Sequence, residues 1–218
     1  MRGWLALLLC AAVPTGIHAQ PLWTARFDGG SVSAEWLKPS LNEDGADFFT
    51  SALFLSGRFV FSRHVRLVGE VPVARLRAGA TGEAFIDLGN PYVGFELYLP
   101  GEPVWLEAGA RAALLDAGPS AALAGVAADF ERVEAFLPDV LTLQALGNYR
   151  YARGAFSLRA RAGASFLFDT AEGGSDSRDV FVRYGGQGWY AAGPVHLGAG
   201  LTGRALATGE AGSAAQRT

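Results

Sequence analysis

The stretch that most constrains the fold runs from Phe48 to Leu76, FFTSALFLSGRFVFSRHVRLVGEVPVARL. Phe49, Leu53, Leu55, Phe59 and Phe61 fall on one face of an extended chain, with Thr50, Ser56 and Arg58 on the other. After a turn at Ser62-Arg63 the alternation resumes: Val65, Leu67, Val71 and Val73 oppose Arg66 and Glu70. A period of two is the strand signature. Each arm exceeds the roughly 9–11 residues that a tilted strand needs to cross a bilayer, where globular strands stop near 5–6. A hairpin of this length points to a membrane β-barrel.

The same alternation recurs down the chain. A first strand is expected over Ser31–Lys38, with Glu35 inward. A fourth is expected over Ala84–Leu99, where Val93, Phe95 and Leu97 oppose Tyr92, Glu96 and Tyr98. Asn90-Pro91 interrupts it, because proline cannot donate to a ladder, and a bulge or a strand start is expected there. A fifth spans Val104–Leu115 (Glu107 and Arg111 inward), a sixth Val140–Tyr151 (Thr142, Gln144, Asn148 and Arg150 inward). A seventh covers Ala155–Asp169 (Arg159 and Arg161 inward), an eighth Asp179–Ala191 (Arg183 and Gln187), and a ninth Val195–Ala207 (Arg204). Between the fifth and sixth, Leu123, Val126, Phe130, Val133 and Leu137 recur at helical spacing, with Asp129, Glu131, Arg132 and Glu134 between them. A short amphipathic helix is expected there, packed on the barrel rim or acting as a plug or lid.

Connections alternate between long and short, as in outer-membrane barrels, whose periplasmic turns are short and extracellular loops long. The whole is therefore expected to be all-β: an antiparallel up-and-down transmembrane barrel of about 9–10 strands over residues 31–207, with the helix in one extracellular loop. No apolar run past the N-terminus reaches the about 20 residues of a spanning helix.

Residues 1–19 read as a signal peptide: Arg2, an apolar core from Trp4 to Val13, and Ala19 before Gln20. The single cysteine, Cys10, lies within it, so disulfide and thiol chemistry are excluded from the exported chain. Residues 20–30, including PLWTARFD, read as a tether or short strand, and 208–218 as a polar tail. Net charge is only −3, which argues against a nucleic-acid partner.

In pattern the chain resembles bacterial outer-membrane β-barrels of porin-like and small transporter-like type, over roughly residues 30–207. That resemblance implies outer-membrane lipid and the barrel-insertion machinery as partners, a Gram-negative outer-membrane location, and passive passage of small solutes. Two departures stand out: an odd strand count, and an end in Gln-Arg-Thr where such barrels close on a strand with a terminal aromatic. They suggest the loss of a terminal strand, a tenth strand from PLWTARFD, or a parallel closing pair.

With apolar residues facing lipid, the inward set becomes the lumen lining: Glu35, Arg58, Arg66, Glu70, Glu96, Glu107, Arg111, Gln144, Asn148, Arg150, Arg159, Arg161, Arg183, Gln187 and Arg204. All its glutamates lie on the first five strands, and the last four strands contribute only arginines. One wall would be acidic and the other basic, with the arginine excess favouring anionic solutes if a passage exists. Arg-Glu pairs filling a narrow interior are the alternative, since unpaired buried charge is costly. A non-conducting barrel with interacting loops, and a soluble exported β-protein holding a lipophilic ligand, are the other readings.

No enzyme is expected. Past the signal segment the histidines are His64 and His196, and neither has a serine-plus-acid partner in the pattern, although Ser62 is near His64. No metal-ligand spacing and no cofactor motif occurs, and Gly185-Gly186-Gln187-Gly188 sits inside a strand, where it cannot be a phosphate loop.

Overall fold

The computed structural model describes residues 29–38, 51–77, 84–99, 101–115, 122–129, 131–171, 178–193 and 195–208. The expected signal peptide, PLWTARFD, Phe48–Thr50, Phe130 and the polar tail past 208 lie outside the described residues, as do the side chains of Leu123 and His196.

Ten strands form one antiparallel sheet: β1 (Ser31–Leu37), β2 (Ser51–Val60), β3 (Val65–Arg77), β4 (Ala84–Leu88), β5 (Tyr92–Tyr98), β6 (Val104–Arg111), β7 (Val140–Arg153), β8 (Phe156–Asp169), β9 (Arg178–Ala192) and β10 (Val195–Leu206). The order across the sheet is the order along the chain, β1-β2-β3-β5-β6-β7-β8-β9-β10, with β4 set on β3 beside β5. This is up-and-down connectivity, and the sheet is curled into a half-barrel. No pair between β1 and β10 is formed among the described residues.

The expected fourth strand divides where its sequence is interrupted. β3 pairs with β5 from Val65 to Glu70 and with β4 from Val73 to Arg77. Between them the Gly89 amide still reaches the Pro72 carbonyl (2.9 Å), whereas the Asn90 amide turns away to the Ala135 carbonyl (2.7 Å). The expected fifth strand stops at Arg111, short of Leu115, because the Leu114 and Leu115 amides are taken by the Asn90 side chain.

Short turns join β2 to β3, β5 to β6, β7 to β8 and β9 to β10; apart from the three-residue break between β4 and β5, longer segments make the other connections. At the first of these turns the Ser62 hydroxyl accepts from the His64 and Val65 amides (3.2 and 3.1 Å), so it serves as a turn cap. Arg153 pairs with Phe156, leaving Gly154 at φ 57° as the first central residue of a two-residue hairpin, a position that favours glycine.

The two faces of the sheet are inverted relative to a soluble protein. Val93, Leu106 and Leu201 are 68%, 62% and 70% exposed, while Glu96 and Gln187 on the opposite face are each 1% exposed. Buried polar groups and exposed large apolar ones are the informative departures from the usual rule.

Helical structure between β6 and β7 is slight among the described residues. α1 is only Ala122–Ala128, and a 3-10 turn covers Val133–Ala135. The single amphipathic helix spanning Leu123 to Leu137 does not form. Asp129 ends it, since its carboxylate accepts the amides of Glu131 (2.9 Å) and Arg132 (3.3 Å) and offers the backbone an alternative to the next helical turn. The charged residues thereby leave the helix and enter the concave side of the sheet.

One apolar cluster sits inside the curl: Ala52, Phe54, Ala74, Leu115, Ala122, Ala135 and Phe136, with Leu37, Leu76 and Val126 against it. Its residues lie where β1 ends, β2 begins and β3 ends, so it belongs to the end of the sheet with the longer connections. Phe54 and Phe136 meet edge to face, 5.7 Å between centroids. Burying a side chain such as Phe136 contributes roughly 1.5–3 kcal/mol.

Candidate functional site

The segment 131–137 crosses the interior and meets both walls with complementary charge. Toward the acidic wall, Arg132 donates to Glu35 on β1 (2.6 Å) and Glu70 on β3 (2.8 Å), and it is also paired with Asp129. Toward the basic wall, Glu131 accepts from Arg161 on β8 (2.8 Å), and Glu134 accepts from Arg183 on β9 and Arg204 on β10 (3.0 Å each). A four-residue stretch thus holds both ends of the sheet, which requires the sheet to curl around it. The uneven wall charges seen in the sequence are met by a segment that carries the opposite pattern.

Burial alone would raise the carboxyl pKa values of Glu131 and Glu134. The guanidiniums of Arg161 and Arg183 at Glu131, and of Arg183, Arg204 and Arg111 at Glu134, outweigh it and hold both below the ordinary carboxylate value. Arg132 is likewise pushed up: burial opposes its charge, and Glu70, Asp129 and Glu35 overcome that.

Asn90 fastens the segment by a second means. Its Nδ2 donates to the carbonyls of Glu134 (3.1 Å) and Leu137 (2.7 Å), and its Oδ1 accepts from Leu114 and Leu115 (2.9 Å each). Its own carbonyl accepts from Arg111 Nη1 (2.6 Å). Every polar group of a fully buried side chain is used. Helix α1 presses on the same segment through Gly125, where a Cβ would lie 2.4 Å from the Phe136 ring. Gly125→Val is therefore expected to destabilise the fold by about 1–3 kcal/mol, since overpacked interiors must shift rings or backbone. Urea unfolding followed by tryptophan fluorescence would measure this.

The other expected lining residues take these places. Arg58 pairs with Glu96 (2.8 Å), and Arg111 pairs with Glu70 (2.6 Å). Glu107 accepts from Tyr92 Oη (3.0 Å) and Gln144 Nε2 (3.1 Å), and Gln144 Oε1 accepts from Arg183 (2.9 Å). Nearer the short turns, the Arg66 guanidinium lies 3.8 Å from the Tyr98 ring centroid, Tyr98 stacks on Trp105 at 5.4 Å, and Arg159 lies 5.8 Å from Trp105. Asn148 and Gln187 are buried in the same region, and Arg150 is half-buried on the inward register. All fifteen residues of the expected lining lie on the concave face, and they divide into a cluster around segment 131–137 and this cation–aromatic layer.

Between the segment and the walls lies a partly open cavity of about 400 Å³. Glu35, Arg58, Glu70, Tyr92, Glu96, Glu107, Arg111, Arg132, Gln144, Arg161 and Arg183 line it, together with small and apolar residues of β1, β2 and β3. Among the described residues no group of three His, Cys, Asp or Glu side chains could hold a metal ion, and no helix is long and apolar enough to cross a membrane.

No family model, curated protein or solved structure matches the chain.

The pattern reading used Asn90 only as a break in the fourth strand, gave Phe54 and Phe136 no role, and placed Glu131, Arg132 and Glu134 between the apolar positions of an amphipathic helix. Signals were present for each. Phe54 stands between Leu53 and Leu55, making β2 apolar on both faces where something apolar must dock inside. Glu131-Arg132-Val133-Glu134 carries alternating charge opposite to that of the walls.

Proposed function

We propose that the chain is an outer-membrane β-barrel that gives small polar solutes a passive, gated passage, with segment 131–137 as the stopper. The observation that carries this reading is the inversion of polarity: large apolar side chains cover the convex face, and charged side chains are buried on the concave one. That is the arrangement a barrel needs in hydrocarbon, with lipid outside and a polar lumen inside. The longer connections, and with them α1 and the stopper, would then face the outside, the short turns the periplasm. Export through the N-terminal signal segment, delivery by the insertion machinery and outer-membrane lipid as the surrounding partner go with this reading.

The interior favours a passage for polar solutes over the binding of a lipophilic ligand in an exported soluble barrel, because its cavity has charged walls. A non-conducting barrel is the reading favoured by the doubled fastening of 131–137, by ion pairs and by Asn90. Refolding into detergent and liposomes separates these. The proposed barrel should run at different gel mobility with and without heating, float with liposomes, and give small, infrequent conductance steps in planar bilayers. Liposome insertion without any conductance, persisting after the stopper is released by substitution, would favour the non-conducting reading. A protein that stays soluble without detergent would remove the membrane reading altogether.

A further inference from the structure

The geometry points to a binding site for an oxyanion, a carboxylate or a phosphate monoester, on the concave face nearer the short turns, where Arg150 and Arg159 hold it and Asn148 and Trp105 donate to it.

Arg150 on β7 and Arg159 on β8 stand directly opposite each other on the inward register. Like charges in that position repel, and an anion shared between them removes that cost. The carboxylates of the neighbouring strands are committed elsewhere. Glu96 accepts from Arg58 and stands opposite Arg66, and Glu107 answers Arg161 and Arg183. Arg150 is half-buried close to the β7–β8 turn, so it is the member of the pair that a solute meets first, while Arg159 is buried.

A surplus of covered donors lies in the same patch. Trp105 and Asn148 face each other across β6 and β7, and Asn148 precedes Arg150 by one inward position. Both side chains are buried, 5% and 4% exposed, yet neither Trp105 Nε1 nor Asn148 Nδ2 has an acceptor. The Arg159 guanidinium lies 5.8 Å from the Trp105 ring centroid, which joins the two cross-strand pairs into one patch. Buried donors are ordinarily matched, and one that is not carries the full cost of its lost hydration. Among the described residues no carboxylate or side-chain amide oxygen is in that position: the buried side-chain atoms without a partner are N–H donors and hydroxyls. What completes such a patch is a group that brings negative charge and only accepts hydrogen bonds, and guanidiniums match the planar oxygens of carboxylates and phosphates.

As a solute class this rests on the passage proposed above, whereas binding itself can be read without any current. The test is calorimetric titration of the refolded, detergent-solubilised full chain with butyrate, butyl phosphate, butylammonium and butanol. Butyrate or butyl phosphate should bind in preference to butylammonium and butanol, and the stronger of the two identifies the oxyanion. Arg150→Gln should weaken that binding by about tenfold or more, as loss of a charged hydrogen bond does. Arg153→Gln, which removes the same charge from the exposed face of the same strand, should leave it unchanged. Asn148→Asp places a carboxylate among Arg150, Arg159 and Arg161, and it should abolish binding. Circular dichroism and heat-dependent gel mobility check that each variant keeps the sheet. Preference for butylammonium, no binding of either oxyanion, equal binding by Arg150→Gln or Asn148→Asp, or an equal loss in Arg153→Gln overturns the inference. Oxyanion binding by a barrel that carries no current keeps this site and removes the passage. Conductance without binding of either oxyanion does the reverse.

Discussion

Asn90→Ala is expected to free segment 131–137 from the lumen and to give the largest change in behaviour of any single substitution. The alanine leaves the carbonyls of Glu134 and Leu137 and the amide of Leu115 without the Asn90 side chain, and the Leu114 amide with only the Ala112 carbonyl. An unsatisfied buried group costs about 1–3 kcal/mol, so with several of them the docked state loses on the order of 4 kcal/mol or more. The sheet itself does not depend on these bonds, because its ladders from β5 to β10 are backbone pairs on either side of the interruption. The expected result is a barrel that keeps its strand content, opens frequently in planar bilayers, and is cut by trypsin after Arg132. In the wild-type protein that guanidinium is enclosed by Glu35, Glu70 and Asp129, and cleavage there should be slow. Resistance of Asn90→Ala to trypsin at Arg132, with conductance unchanged, would show that the ion pairs alone hold the segment.

Which parts of this arrangement were legible in the sequence follows from the range of the interactions. Strand faces are local: alternation along eight residues fixes which side chains point inward, and Glu96, Arg111, Arg159 and Arg183 are where that pattern puts them. The break at Asn90-Pro91 was also local, because proline withdraws a ladder donor wherever it stands. Its purpose was not local. The Asn90 side chain spends its hydrogen bonds on residues 24 to 47 positions away, and nothing adjacent to it in the chain announces them. Segment 122–137 was misjudged in extent for a related reason. Apolar residues at helical spacing are as compatible with two short pieces as with one helix, and what separates them, Asp129 capping the next turn, competes with the helix on equal local terms. Only the charged walls decide it, since they draw Glu131, Arg132 and Glu134 into the interior. The count of strands shows the same limit. One interrupted run reads as a single strand, and it becomes β4 and β5 because the Asn90 amide leaves the ladder for the Ala135 carbonyl.

Acid should release the same segment by a different route. Glu131 faces Arg161 and Arg183, with Thr202 beside it; Glu134 faces Arg183, Arg204 and Arg111; Arg132 between them faces Glu35, Glu70 and Asp129. Both glutamates are held below the ordinary carboxylate value when docked. The free segment would titrate near the ordinary value, about 4.3. Groups with a depressed pKa in the docked state contribute stability that is fully present above that ordinary value, and it is lost as pH falls through the docked-state pKa. Docking should therefore be constant from pH 7 down to about 5 and weaken below about 4. The arginines keep their charge throughout this window, so protonation leaves Arg161, Arg183 and Arg204 facing one another with less counter-charge. Repulsion then adds to the lost attraction. Hydrogen exchange of the 131–137 amides, corrected for the intrinsic effect of pH, should accelerate below about pH 4 while β7 and β8 remain protected, and conductance should rise over the same interval. Glu131→Gln with Glu134→Gln should exchange fast already at pH 7 and lose most of the pH dependence. A release that sets in above pH 6, or that persists unchanged in the double variant, would assign the switch to groups other than these two carboxylates.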